Sequence, residues 1–268
     1  MKTPRLIALD MDGTLLNADG TVPNEFWPLL DRAKDLGVAV APASGRQLAS
    51  LRTMFDGGPS SPRSYIAENG TVVFHEGAII DSSVLPRDAV LRALAARPEF
   101  GANNDMVLCT PELTYMLRGV GQRTRAELEK YYYSVQEVDD LLEVANTKDI
   151  IKVAVFCEAG SEEHIYPALK RAVGDQNVAV SGQHWIDVMA AGAHKGRALE
   201  HMAEKLSIAI EDTVAIGDYL NDYELLQAAG TAIAMGNAHP EILAIADVVA
   251  PPNSEQGCIT MLKELLGA

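Results

Sequence analysis

The feature that most constrains this chain is an alternation found at both of its ends. Near the amino terminus a strand-like LIAL leads to a helix-like NEFWPLLDRAKDL closed by Gly37, then a strand-like VAVAPAS, a helix-like RQLASLRTMF and SYIAENG. From Thr213 the pattern resumes as TVAIGD, NDYELLQAAG, TAIAMG, HPEILAIA, DVVA and a closing helix from about Glu255 to Leu266. Strands that are apolar throughout, separated by amphipathic helices, imply a parallel sheet covered on both faces. The expected fold class is therefore α/β, with a Rossmann-like parallel sheet.

Between the two halves the texture changes. Longer helical stretches (RDAVLRALAAR, RTRAELEKYYYS, SEEHIYPALKRAVG) alternate with separate strands such as IIKVAVF and VAVSG. A segment of this length folds alone. We expect a core of residues 1–82 and 190–268 interrupted by an inserted α+β domain, 83–189, entered near Ser82-Ser83-Val84-Leu85-Pro86 and left near Ala190-Ala191-Gly192. The whole chain of 268 residues is long enough for two such domains.

Composition narrows the partners. A net charge of −15 argues against nucleic acid, because a phosphate backbone requires a basic face. Cys109, Cys157 and Cys258 are odd in number and far apart, which offers neither a disulfide framework nor a metal knuckle. The first apolar run is cut at Asp10, too early for a signal peptide or a membrane span. A cytoplasmic protein without a membrane partner is expected, and the sequence is silent on oligomeric state.

The polar residues that break the pattern share one kind of place. Asp10 and Asp12 follow the first strand, Ser44-Gly45-Arg46 the second, and Asp218 ends TVAIGD, so each stands at the carboxyl end of a parallel strand. Open α/β sheets form their ligand crevice there. Asp10, Asp12, Asp218 and Asp222 would repel one another without a hard dication, and Mg²⁺ accepts a few carboxylate oxygens while keeping waters. An EF-hand is excluded, since the sixth and twelfth positions counted from Asp10 hold Leu15 and Thr21. Ser44-Gly45 is expected to open a helix whose free N–H groups hold an anion, a role that uses the same groups as plain capping. Lys195, expected to open another helix, offers a compact cation to phosphate oxygens. A metal, a cation and an anion nest around a carboxylate point to phosphoryl transfer with Asp10 as nucleophile.

These motifs together resemble the haloacid dehalogenase superfamily, and within it the Cof-type phosphatases with a large cap (subfamily IIB). DxDGT is matched by Asp10 to Thr14, the Ser before Gly-Arg by Ser44, the lysine motif by Lys195, and GDxxND by Gly217 to Asp222. The resemblance implies that Asp10 attacks phosphorus and that Asp12 protonates the leaving oxygen and then deprotonates water. It implies Mg²⁺ held by Asp10, the Asp12 backbone carbonyl and Asp218, with Asp222 in support. Ser44, Gly45 and Lys195 would bind the phosphate, Asn221 would touch it or orient its neighbours, and Arg46 would either join in binding it or tie the core to the cap, which would close over the leaving group and read its shape. Tyr219 stands where Asn is common, and Gln256 where Asp is frequent.

The expected activity is Mg²⁺-dependent hydrolysis of a small phosphorylated metabolite, a sugar phosphate first. A phosphomutase of the phosphomannomutase type and a non-catalytic sugar-phosphate sensor are the alternatives. Dehalogenation fits less well, because a departing halide needs no acid at Asp12. Glu68-Asn69-Gly70 reads as a turn before a hairpin, with Asn69 a lesser candidate for the site. Tyr131-Tyr132-Tyr133, His184 and Trp185 suit a hydrophobic core better than a ligand pocket.

Overall fold

In the computed structural model, which describes residues 2–101, 104–181 and 183–268, the chain forms two compact units. One comprises residues 1–81 and 194–268, the other 82–193. The second unit ends a few residues later than the composition suggests. The turn after its last strand stays attached to it: Ala193 N–H donates to the Ala190 carbonyl, and Asn177 Nδ2 to the Ala193 carbonyl at 2.7 Å.

The chain begins with strand β1 (Leu6–Asp10), helix α1 (Phe26–Asp35), β2 (Ala39–Ala43), α2 (Leu48–Thr53), β3 (Ser64–Ala67), β4 (Val72–His75) and β5 (Ala78–Ser82). The second unit carries α3 (Arg87–Ala96), β6 (Asn104–Cys109), β7 (Thr114–Leu117), α4 (Gln122–Tyr131), β8 (Val135–Val138) and α5 (Leu141–Thr147). It continues with β9 (Lys152–Cys157), α6 (Ser161–His164), α7 (Tyr166–Val173), β10 (Asn177–Val180) and β11 (Trp185–Met189). The first unit then resumes with α8 (Lys195–Lys205), β12 (Thr213–Gly217), α9 (Tyr223–Ala228), β13 (Thr231–Ala234), α10 (Pro240–Ile245), β14 (Val248–Val249) and α11 (Gly257–Leu266).

In the first unit eight strands lie in the order β14-β13-β12-β1-β2-β3-β4-β5. The pairs from β14 to β3 are parallel, and β4 turns back antiparallel to β3. Along β1 the side chains alternate: Leu6 and Ala8 join a core with Leu199 and Met202 of α8 and Leu225 of α9, while Ile7 and Leu9 point the other way. All four are fully buried, which is why this strand shows no polar alternation. The expected hairpin is present as β4 and β5, joined by Glu76 and Gly77, both at positive φ as a two-residue loop requires.

In the second unit six strands lie in the order β10-β11-β9-β6-β7-β8, antiparallel except between β7 and β8. Leu108, Val153, Val155 and Ile186 from one face of this sheet form a core with residues of α3, α5 and α7. The stretch SEEHIYPALKRAVG is two helices rather than one. Pro167 lacks the N–H a continuous helix would need and crowds the preceding turn, so α6 stops and α7 starts afresh around it. No helix among the described residues is long and apolar enough to cross a membrane.

Candidate active site

Asp10, the last residue of β1, pairs in register with Ala43 at the end of β2 on one side, while Leu9 aligns with Ile216 of β12 on the other. The ends of three adjacent parallel strands therefore bring Asp10, Ser44 and Asp218 to one edge of the sheet. After Asp10 the chain turns sharply through Met11–Leu15, with Gly13 at φ +84°. A Cβ on Gly13 would lie 2.3 Å from Asp218 Oδ2, so both the backbone angle and the space require glycine. Gly217 is tight for a similar reason, since a Cβ there would stand 2.7 Å from Asp222 Oδ2.

Lys195 is the first residue of α8, and its helix is capped by His194, whose Nδ1 accepts from Arg197 N–H. The Lys195 ammonium is completely buried and donates to Asp10 Oδ1 at 2.5 Å and to Asp222 Oδ1 at 2.7 Å. Asp222 also accepts, through Oδ2, from the N–H groups of Asp218 (3.1 Å) and Tyr219 (3.3 Å). Asp222 thus ties the lysine to the loop that carries Asp218. Charge-assisted bonds of this kind offset the several kcal/mol that burying each ion costs.

Asp10, Asp218 and Asp222 place one carboxylate oxygen each within 4.8 Å of one another. Burial, reinforced by Asp222, pushes Asp10 well above the usual carboxylate range despite the pull of Lys195. Burial and Asp222 also push Asp218 up to about 6. Burial works against the Lys195 ammonium, but Asp10 and Asp222 outweigh it and hold the group charged. One lysine does not balance three buried carboxylates. The remaining negative charge, with hard oxygen donors, fits a small dication. Asp222 is fully buried and spends its oxygens on the Lys195 ammonium and two backbone N–H groups, whereas Asp218 keeps some exposure and Asp10 has only Oδ1 bonded, which makes Asp10 and Asp218 the better direct ligands.

Three residues to which the sequence assigned no role complete this corner. Thr14 Oγ1 donates to Asp218 Oδ1 at 3.0 Å, and Asn237 Nδ2 donates to the Gly13 carbonyl at 3.1 Å and lies 3.4 Å from Asp218 Oδ2. Asn253 Nδ2 donates to the carbonyls of Thr14 and Leu16, both at 2.9 Å, and its N–H donates to Asn237 Oδ1. A signal was available for Asn237, because it follows another parallel strand, β13, at the same edge of the sheet.

Asp12 stands apart from the cluster. Its side chain is 57% exposed and is held by Arg46 in a forked pair, Nη2 to Oδ1 at 2.8 Å and Nε to Oδ2 at 3.1 Å. Ser44 does not open a helix as expected. Gln47 is extended (φ −56°, ψ 143°) and α2 begins only at Leu48. The Ser44 hydroxyl instead accepts from Arg46 N–H at 3.2 Å, a local turn of the kind serine favours over a helical start. Ser44 N–H donates to the Ile66 carbonyl, so the residue extends the strand ladder. A Cβ on Gly45 would be 3.0 Å from Asn69 Oδ1, and Asn221 Nδ2 reaches the same oxygen at 3.5 Å. Tyr219, 55% exposed, sets its ring edge-on to His239.

Residues 7–262 match the model of the haloacid dehalogenase-like hydrolases. The 5-amino-6-(5-phospho-D-ribitylamino)uracil phosphatase YbjI of Escherichia coli is 30% identical over 98% of this chain and 96% of its own length. Phosphatase YwpJ of Bacillus subtilis is 28% identical over 98% of this chain and 100% of its own. The structure of a haloacid dehalogenase-like hydrolase from B. subtilis superposes with a TM-score of 0.84 at 26% identity, covering 97% of this chain and 99% of that one. The chain belongs to the haloacid dehalogenase-like hydrolases. Within them it is a phosphatase with the Cof-type arrangement.

Proposed function

We propose that the protein hydrolyses a small phosphorylated metabolite, with a sugar phosphate as first choice, in a Mg²⁺-dependent reaction through an aspartyl phosphate on Asp10. The observation that carries this is the placement of Asp10: at a strand end, fixed through Oδ1 by Lys195 and 4.8 Å or less from two further carboxylates.

Asp10 Oδ2 attacks phosphorus, and the bond from phosphorus to the ester oxygen breaks. Asp12 gives a proton to that departing oxygen as the alcohol leaves. In the second half Asp12 takes a proton from water, the resulting hydroxide attacks phosphorus, and the bond to Asp10 breaks to release phosphate. Lys195 keeps Asp10 oriented and offsets negative charge, while Asn221 and the Ser44–Arg46 turn serve the phosphate oxygens. For Asp12 to act as acid its fork with Arg46 has to open, so Arg46 exchanges a protein carboxylate for a substrate anion. Mg²⁺ bound by Asp10 and Asp218, with the Asp12 carbonyl, would neutralise charge on the transferring group.

Substrate choice belongs, in this proposal, to the inserted segment 83–189 acting as a cap. The YbjI name specifies a phosphate on a ribityl chain, which supports a phosphorylated sugar or sugar alcohol as substrate class here. The buried cysteines suit a reducing cytoplasm. The test is phosphate release from a panel of phosphorylated sugars, sugar alcohols, cofactors and nucleotides, with Mg²⁺ or EDTA, for wild type and Asp10→Asn. Metal-dependent release lost in Asp10→Asn supports the proposal. Release that survives the substitution, or that EDTA leaves untouched, refutes it.

A further inference from the structure

The sheet of the first unit is open at the end opposite its carboxylates. Strands β2 and β3 are registered at one pair only, Ala43 with Ile66. Ser44 N–H makes the rung to the Ile66 carbonyl. The next rung toward the amino-terminal ends would need an N–H from residue 42, and Pro42 has none. The ladder stops there, and a cavity of about 450 Å³ lies beside the diverging strand ends. That volume falls within the range of small-molecule sites, whereas a well-packed sheet leaves few voids larger than a water.

The walls are chemically mixed. Leu30, Val38 and Pro59 supply apolar surface, and Ser60 and Ser61 supply hydroxyls. The Ser60 hydroxyl is enclosed and has no hydrogen-bond partner among the described residues, a state that costs free energy unless something fills it. Deeper in, Ser64 Oγ and His75 Nδ1 bond each other at 2.8 Å. At the lip Arg63 is neutralised by Glu76 at 2.8 Å, whereas Lys34 makes no ion pair among the described residues. Asp31 also lies on the lip, three residues before Lys34, and limits how much negative charge an occupant can carry.

We propose that this cavity is a second ligand site, distinct from the catalytic edge, for a small organic anion with a compact apolar body. The anionic end sits at Lys34 and the Ser60 hydroxyl, the Ser61 hydroxyl being turned to the Phe55 carbonyl, and the body rests on Leu30, Val38 and Pro59. The cavity and the carboxylate cluster occupy opposite ends of a five-residue strand, about 15 Å apart. An occupant would therefore not meet the reacting groups, and its binding is separable from turnover.

The experiment is titration of ¹⁵N-labelled protein with phenylphosphonate, which the enzyme cannot hydrolyse, and separately with benzoate. We expect saturable shifts of the Val38, Val40, Ser60 and Ser61 amides with at least one probe. The phosphonate arm and the carboxylate arm identify which anion is preferred. Ser61→Trp, which fills the cavity from an exposed position, and Lys34→Glu should each weaken binding at least tenfold while metal-dependent hydrolysis stays at the wild-type rate. Silence of these amides with both probes overturns the proposal. So do shifts that persist undiminished in Ser61→Trp, since the probe then sits elsewhere.

Discussion

The two sheets of this protein both bury charge, but they place it differently. In the eight-stranded sheet of the first unit the charges gather at one edge: Asp10 and Asp218 at strand ends, Lys195 and Asp222 at helix starts beside them. In the six-stranded sheet of the second unit the buried charges lie within strands instead. Lys152 is opposite Met189, and Asp187 is opposite Ala154, on one face of the sheet. Lys152 Nζ is 5.1 Å from the centre of the Tyr132 ring. Parallel strands send all their carboxyl ends the same way, so an edge collects functional groups from distant parts of a sequence. Antiparallel strands alternate, and only a face can collect them.

This contrast is open to direct attack, first where the effect is largest. Asp10→Asn keeps the shape of the side chain but not its nucleophilicity, and hydrolysis should fall by about a thousandfold or more with the fold intact by circular dichroism. Retained turnover would remove the edge from the chemistry altogether. Next, Lys195→Met strands Asp10 and Asp222 without their cation and should cost about 3–5 kcal/mol in urea unfolding, together with most activity. The matching change on the other sheet, Lys152→Met, is expected to lower stability while hydrolysis of p-nitrophenyl phosphate stays within about threefold. Equal losses of hydrolysis in the two variants would erase the distinction between edge and face.

Smaller effects sharpen the geometry of the edge. Gly13→Ala meets both an unfavourable φ and Asp218 Oδ2 at 2.3 Å, so Mg²⁺ affinity measured by calorimetry should drop at least tenfold. The protonation of Asp218 supplies a pH test. Its folded value of about 6 lies above the ordinary 3.8, so between those values the folded metal-free protein holds more protons than the unfolded chain. Metal-free stability should therefore fall as pH rises from about 4 to 6, and Mg²⁺ affinity should weaken as pH drops below about 6. Smallest of all, Asn237→Ala removes the bond to the Gly13 carbonyl, the longer contact to Asp218 Oδ2 and the acceptor for Asn253 N–H, on an exposed residue, and should cost about 1–2 kcal/mol, read as a several-fold rise in the Mg²⁺ needed for half-maximal rate.

The same contrast explains what was legible beforehand. Asp10, Asp218 and Lys195 stand out because a charge follows an unbroken apolar run or precedes a helix, and the parallel fold then requires them to converge. Ser44 was visible, but its helix was placed three residues early, because Gly45-Arg46-Gln47 gives no sign that the chain bends at Gly45 and Arg46 and stays non-helical through Gln47. Thr14 falls inside the DxDGT match, but its bond to Asp218, like the bonds of Asn253 to the Thr14 and Leu16 carbonyls, joins residues more than two hundred positions apart, which no spacing rule reveals. In the second unit, strands such as Thr114–Leu117 and Val135–Val138 are only four residues long, too short for a period to declare itself. Trp185, read as core, is buried against Phe156, Tyr131 and Tyr132.

The bonds from Asn253 to the Thr14 and Leu16 carbonyls join residues 239 and 237 positions apart. The turn that aims Asp10 is thus braced by a side chain synthesised more than two hundred residues after it. At ribosomal speeds of about 5–20 residues per second, Thr14 waits roughly 10–50 s for that brace. During that interval the nascent chain carries Asp10 on a turn that lacks this brace, so the geometry of the first motif is completed by a residue that emerges long after it.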